Sequence, residues 1–204
     1  MALLPSGSLP GCTPPLRGLF VDRWGTLLER PAKGWVKTFA GVRFSPGAVD
    51  ALFHASQAGW RVYLIGNEEQ VAFGDMAEAQ WKKLERDLLE HLRAHGVPIA
   101  RCYACLDHPK GERPHARDSV FLLPNTGALY HAAQTDGIVL PESWVIGDST
   151  FELVAGWRAG CRLAGVRTGL ALGDGGLEVE PDVLGADLAA VLREVVQGRR
   201  SVRG

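Results

Sequence analysis

The stretch LFVDRWGTLLER, residues 19–30, is the most informative part of the chain for both fold and function. Its first three residues are apolar and predict the end of a buried strand. Asp22 follows directly, and Gly25 and Thr26 then predict a turn. A buried carboxylate needs polar partners, so packing alone explains Asp22 poorly. Because ligands of open α/β sheets bind outside the carboxyl ends of the strands, Asp22 is predicted to lie in a functional site.

Outward from this stretch, short apolar runs alternate with amphipathic stretches, a pattern typical of βαβ units around a parallel sheet. Helices are predicted after Pro46, around Leu129, and from a capping residue at Asp187 to Gly198. A further long helix that ends near Gly96 is predicted from the helical spacing of Trp81, Leu84, Leu88 and Leu92. The long stretch from residue 106 to 125 shows no regular pattern, and loops of that length are typically functional or disordered. The predicted strands are residues 18–22, 61–65, 99–102, 144–146, 162–166 and 182–184.

Three segments are predicted along the chain. Residues 1–16 are rich in Pro, Gly and Ser and are predicted to be a flexible leader, since they lack the basic start and apolar core of a signal peptide. Residues 17–198 are predicted to form one domain. Residues 199–204 are predicted to be a short basic tail.

Composition excludes several classes of function. The 204 residues are 46% hydrophobic and 22% charged, which is typical of a globular domain. The net charge of −1 provides no strong field for nucleic acid, which is therefore not an expected partner. No apolar run is long enough to cross a membrane, so no membrane association is expected. Four cysteines are too few for a disulfide scaffold, and a cytoplasmic location is expected.

A second acidic residue repeats the position of Asp22. In the segment WVIGDSTFE, Asp148 comes directly after a predicted buried strand. Two aspartates at adjacent strand ends would repel each other, and a cation would relieve that repulsion. Mg²⁺ suits the position, because it binds one or two carboxylates, keeps several waters and meets a substrate phosphate. The alternative is that Asp148 only caps the helix that opens near Thr150.

The motif around Asp22 resembles hhhDxDGT, the first motif of the haloacid dehalogenase (HAD) superfamily. Three further segments follow in the superfamily's order, namely GNEEQVAFG (66–74), PNTGAL (124–129) and GDSTFELVAGWRAG (147–160). Within the superfamily, the chain is most similar to the histidinol-phosphate and heptose-bisphosphate phosphatases. This resemblance implies an α/β, Rossmann-like three-layer fold with a parallel sheet and no large cap domain.

The resemblance also implies roles for individual residues. Asp22 would be the nucleophile and a Mg²⁺ ligand, and the Trp24 backbone carbonyl and the Asp148 side chain would be further Mg²⁺ ligands. Glu152 would stand where the family has a second acid. The implied substrate-binding positions are Arg23, Gly66 and Asn67.

The chain departs from the family where the chemistry takes place. Trp24 stands in place of the general acid, a group typically worth a factor of ~10²–10⁴ in rate. Gly66 replaces a hydroxyl side chain, and Leu123 and Asn125 stand where the family has lysines. An aromatic residue two places after the nucleophile also occurs in haloacid dehalogenases, although those enzymes keep the lysine.

Two functions therefore stay open from the sequence. The first is a Mg²⁺-dependent phosphomonoesterase that acts on a small phosphorylated metabolite through a phosphoaspartate at Asp22, with activity in doubt because the acid and the lysine are missing. The alternative is a non-catalytic pseudo-phosphatase that binds a phosphorylated ligand or a protein partner.

A possible zinc site lies after the third predicted strand. The family holds Zn²⁺ there with C-x-H and C-x-C pairs, and this chain lacks the second pair. The residues present could instead form a tetrahedral set with the spacing C-x₂-C-x₂-H-x₆-H. The other interpretation is a loop without metal. The predicted zinc ligands are Cys102, Cys105, His108 and His115.

Overall fold

A computed structural model describes residues 15–197, which form a six-stranded sheet with all strands parallel. The order of the strands across the sheet is β3-β2-β1-β4-β5-β6. The strands are Arg17–Asp22 (β1), Trp60–Asn67 (β2), Ile99–Cys105 (β3), Trp144–Gly147 (β4), Arg162–Val166 (β5) and Val183–Gly185 (β6). All six coincide with the predicted strands, within three residues at either end.

Helices cover both faces of the sheet and give it three layers. One core cluster packs α1, α3 and α6 against one face, and a second cluster packs α4 and α5 against the other. Strands buried on both faces explain why the strand sequences are continuously apolar rather than alternating. The helices are Ala48–Gln57 (α1), Glu69–Ala72 (α2), Glu78–Ala94 (α3), Gly127–Asp136 (α4), Thr150–Arg158 (α5) and Leu188–Val196 (α6).

The polar caps of two helices match the sequence pattern. The Ser149 side chain accepts a hydrogen bond from the backbone of α5. The Glu152 side chain accepts one from the Ser149 backbone N–H, which completes a capping box. Asp187 caps α6 by accepting from the Ala190 N–H at 2.7 Å. Because Ser149 is the N-cap of α5, the alternative that Asp148 serves as that cap is excluded.

The fold agrees with the expected three-layer α/β architecture. Within residues 15–197 no insertion forms a cap domain, and the stretch between β3 and α4 contains neither helix nor strand, as predicted. In the same range no helix is long and apolar enough to span a bilayer. Most of the predicted leader (1–14) and the whole predicted basic tail (199–204) lie outside the described residues.

Candidate active site

The candidate site lies at the carboxyl edge of the sheet, where neighbouring strands β1 and β4 end. Asp22 is the last residue of β1, and Asp148 follows the last residue of β4. The register pairs Val21 with Ile146, which brings the two aspartates to the same edge. Asp22 lines a cavity of about 190 Å³ at this edge. The other lining residues are Trp24, Arg30, Trp35, Asn67, Glu69, Ser149, Phe151, Glu152, Leu170 and Asp174.

The two aspartates have the electrostatics of a cation site. Burial raises the pKa of Asp22 well above its usual range, and the nearby charges of Glu152 and Asp148 raise it further. Asp22 Oδ2 and Asp148 Oδ1 are both buried and make no hydrogen bond. A buried carboxylate oxygen without a partner is costly, and a divalent cation would remove that cost. The residues present therefore fit Mg²⁺, which needs only one or two carboxylates.

Asp148 is held in place through its other oxygen, Oδ2. That oxygen accepts hydrogen bonds from the Leu170 backbone N–H at 2.7 Å and from Arg30 Nε at 3.1 Å. Gly25 and Gly169 both have positive φ angles, and a Cβ on either of them would overlap the Asp148 carboxylate. The turn after β1 and the loop after β5 thus leave room for this carboxylate only because both positions are glycine.

Arg23 is not placed to bind substrate, which corrects the sequence prediction. Its side chain is fully buried, and it forms ion pairs with Glu68 at 2.9 Å and with Glu85 at 3.0 Å. Its guanidinium group also lies over the ring of Trp81. Arg23 is the first residue after β1, and its side chain enters the α3 face of the core, where Glu85 and Trp81 lie. Arg23 therefore stabilises the fold and does not line the cavity.

The side chain of Trp24 occupies the wall between the cavity and this ion-pair network. Its indole Nε1–H donates to Glu68 Oε2 at 3.2 Å, and Gln70 donates to the same oxygen at 2.7 Å. Burial raises the pKa of Glu68, whereas the charge of Arg23 lowers it. The N–H of Trp24 is thus committed to an internal carboxylate, and Trp24 offers no titratable proton to a substrate.

The other predicted substrate-binding positions, Gly66 and Asn67, do border the site. A Cβ on Gly66 would lie 3.3 Å from Asp22 Oδ1, so position 66 is next to the carboxylate. Asn67 lines the cavity. Its side-chain oxygen accepts from the Leu123 backbone N–H at 2.8 Å, and its side-chain NH₂ donates to the Leu123 carbonyl at 3.1 Å. Leu123 is buried in the second core cluster and brings no charge to the site.

Glu152 combines a structural and an electrostatic role. It completes the capping box of α5 and also lines the cavity with Asp22. Burial raises its pKa from 4.5 to about 7, although hydrogen bonds from Ser149 act in the opposite direction. Near neutral pH, this residue is therefore close to the midpoint of its titration.

The four predicted zinc ligands do not come together. Strand β3 continues to Cys105, so Cys102 and Cys105 lie three residues apart on one strand and point to opposite faces. Cys102 packs against the core cluster on the α3 side, whereas Cys105 donates to the Asp107 carbonyl at 3.3 Å. Among residues 15–197, no group of three or more His, Cys, Asp or Glu side chains is arranged to hold a metal ion.

The loop that would have held zinc is organised around a carboxylate instead. Asp107 forms a hydrogen bond with His115 Nδ1 at 3.1 Å and an ion pair with Arg117 Nε at 2.9 Å. His108 accepts from the backbone N–H of Lys110 and packs its ring against Phe73.

The comparisons with known proteins agree with the fold. No family model matches the chain. A D-glycero-β-D-manno-heptose-1,7-bisphosphate 7-phosphatase from Mesorhizobium japonicum is 30% identical over 183 residues, which are 87% of this chain and 83% of the relative. The corresponding phosphatase from Haemophilus influenzae is 28% identical and is covered over 98% of its length.

Solved structures point to the same class. A D,D-heptose 1,7-bisphosphate phosphatase from B. bronchiseptica, complexed with magnesium and phosphate, aligns with a TM-score of 0.77 at 25% identity, over 89% of this chain and 99% of that one. A HAD-like phosphatase from Mesorhizobium loti aligns with a TM-score of 0.75 at 27% identity, over 91% of this chain and 86% of that one. The chain belongs to the heptose-bisphosphate phosphatase group of the HAD superfamily.

Two residues of the site were not expected from the sequence. Arg30 pairs with Asp148 across 118 positions of sequence, and Glu68 links Arg23 to Trp24 from 45 positions away. Both residues lie in segments that the sequence analysis singled out, but no local pattern in those segments predicts these contacts. The one signal available in the sequence was the charge of Arg23, since an arginine that becomes buried requires a carboxylate partner.

Proposed function

We propose that this protein is a Mg²⁺-dependent phosphomonoesterase that acts on a small phosphorylated metabolite through Asp22. One observation carries the proposal. Asp22 and Asp148 lie at the ends of adjacent strands, and each has a buried carboxylate oxygen without a partner. The related phosphatase complexed with magnesium and phosphate supports the same assignment.

In this proposal, the side chains of Asp22 and Asp148 and the backbone carbonyl of Trp24 hold the cation. Mg²⁺ neutralises the carboxylates and polarises the phosphoryl oxygens when it is bound. Glu152 lines the same cavity, and its Oε2 accepts hydrogen bonds from the Ser149 N–H and hydroxyl. Asn67 fixes the segment at Leu123 against the cavity wall.

The chemical steps follow from the position of Asp22. A carboxylate oxygen of Asp22 attacks phosphorus, the bond from phosphorus to the ester oxygen breaks, and the alcohol leaves as an alkoxide. Water then attacks the phosphorus of the phosphoaspartate, which restores Asp22 and releases orthophosphate. The alkoxide takes its proton from solvent water, because the indole N–H of Trp24 is bound to Glu68 and supplies none.

The missing general acid predicts which substrates react. An aryl phosphate releases a stabilised phenolate, whereas an alkyl phosphate releases a basic alkoxide that depends on a general acid. Loss of such an acid costs a factor of ~10²–10⁴. Turnover of aryl phosphates is therefore expected to exceed that of alkyl and sugar phosphates by a factor in this range. Among biological substrates, sugar phosphates are the first to test, because the relatives are named for a heptose bisphosphate.

The test is release of orthophosphate from 4-nitrophenyl phosphate and from a panel of sugar phosphates, with Mg²⁺ and with a chelator. Asp22→Asn should abolish Mg²⁺-dependent release. Glu142→Gln is the matched control, since it also removes one negative charge but lies exposed just before β4, away from the site. Persistent release in Asp22→Asn would show that another group is the nucleophile.

A second candidate is a non-catalytic relative that binds a phosphorylated ligand. The internal hydrogen bond of Trp24 and the apolar Leu123 favour it, because both occupy positions where the family has reactive groups. This candidate predicts saturable binding of a phosphorylated ligand in the presence of Mg²⁺ without turnover of any substrate. Turnover by wild type that Asp22→Asn abolishes would exclude it.

A further inference from the structure

The candidate site lacks the lysine that the family places beside the phosphate group. Asp22, Asp148 and Glu152 are all buried at this edge, and a phosphate would bring more negative charge. Position 123, where the family has a lysine, is a buried leucine. Of the described residues that line the cavity, Arg30 alone has a cationic side chain.

Arg30 is partly bound and partly free. Its Nε donates to Asp148 Oδ2 at 3.1 Å, which fixes the base of the guanidinium group. Within the described residues, its two terminal amino groups make no hydrogen bond, and the side chain is 39% exposed and lines the same cavity as Asp22. A guanidinium group has five N–H donors in a planar fork suited to phosphate oxygens, and four of them remain here.

The bond to Asp148 does not prevent a cation from binding there. Arg30 and the Leu170 N–H both use Oδ2, whereas Oδ1 of the same carboxylate has no partner. Arg30 and Asp22 also line the same cavity. Arg30 is thus near the nucleophile, oriented, and supplied with unused donors.

We propose that Arg30 binds the phosphoryl group of the ligand at Asp22 and supplies the positive charge that the missing lysine would have provided. This assignment rests on the proposed phosphate site. The positive charge would then come from Arg30, after β1, rather than from a lysine at position 123, in the segment before α4.

The test is calorimetric binding of orthophosphate to the full chain with saturating Mg²⁺, and of Mg²⁺ alone. Loss of a charge-assisted contact predicts that Arg30→Gln weakens orthophosphate binding roughly 10- to 100-fold. Affinity for Mg²⁺ should stay the same or rise, because a nearby positive charge is removed. Arg86→Gln is the matched control, since Arg86 is exposed on α3 and approaches only Asp87, at 3.8 Å.

Two further variants separate phosphate binding from support of the fold. Arg30→Lys keeps the charge and loses the fork, so its orthophosphate affinity should fall between those of wild type and Arg30→Gln. The double variant Arg30→Gln/Leu123→Lys should recover part of the lost affinity, because it returns a cation to the family's position. A purely structural role of Arg30 predicts no such recovery.

The results that would overturn the role of Arg30 differ from those that would overturn the proposed function. Orthophosphate affinity that is unchanged in Arg30→Gln overturns the assignment, and so does an equal loss of Mg²⁺ affinity. If Arg30→Gln does not fold, Arg30→Lys decides, and wild-type affinity in that variant overturns the assignment. Tight orthophosphate binding without turnover would remove the proposed phosphatase and leave the assignment of Arg30 intact.

Discussion

Two glycine substitutions with nearly the same backbone angle test how Asp148 is held. Gly169 has a φ angle of +60° and Gly175 has a φ angle of +63°. A Cβ at position 169 would overlap the Asp148 carboxylate and the backbone of Gly25, whereas a Cβ at position 175 would meet no atom within 4 Å. The variants Gly169→Ala and Gly175→Ala therefore share the same backbone strain and differ in the overlap.

The magnitude follows from these two contributions. An alanine in the left-handed region costs ~1–2 kcal/mol at either position. The overlap at Gly169 adds ~1–3 kcal/mol, because both of its neighbours are packed and must shift. One kcal/mol lowers the melting temperature by about 2–4 °C in a chain of this size, so Gly169→Ala should melt roughly 2–12 °C below Gly175→Ala.

The measurement is scanning calorimetry of both variants without metal, followed by titration with Mg²⁺. Displacement of Asp148 should also weaken Mg²⁺ binding in Gly169→Ala, and Gly175→Ala should bind like wild type. Equal melting temperatures together with equal Mg²⁺ affinities would refute the view that Gly169 leaves the space for the Asp148 carboxylate.

Two other predictions concern buried charges. Arg23→Met leaves the Glu68 carboxylate buried without its ion pair and should destabilise the fold by about 3–5 kcal/mol in denaturant unfolding; a loss no larger than that of the exposed control Arg86→Met would contradict this. The folded protein raises the pKa of Glu152 from 4.5 to about 7, so it holds a proton that the unfolded chain releases. The free energy of unfolding without metal should therefore fall as pH rises from 4.5 to 7. Glu152→Gln keeps the capping box and should reduce that slope, and an unchanged slope would contradict the assignment.

Most of the fold could be predicted because local patterns and global packing agree. All six strands were identified from apolar runs, and Asp187 was identified as a helix cap from its position before an amphipathic segment. The limits of β3 were less clear, because it is an edge strand with a mixed sequence. Ending it at Cys102 made the zinc set plausible, whereas its true extent to Cys105 puts the two cysteines on opposite faces.

The site could be predicted in part. Asp22 and Asp148 were found because strand ends fix their position, and that rule needs no tertiary information. The resemblance predicted that Arg23 binds substrate, yet its side chain enters the core and pairs with Glu68 and Glu85. The role of Arg30 depends on a contact between the turn after β1 and the end of β4, which no local pattern encodes. A cytoplasmic location stays a prediction.

The central claim is that Asp22 and Asp148 together hold one divalent cation. Calorimetric titration of the full chain with Mg²⁺ tests it most directly, with Asp148→Asn as the variant and Glu142→Gln as the control of equal charge change. Loss of a metal ligand predicts binding at least ~10-fold weaker in Asp148→Asn, and one saturable site of equal affinity in wild type and the control. Equal Mg²⁺ affinity in all three proteins, or no Mg²⁺ binding by wild type, would contradict the claim.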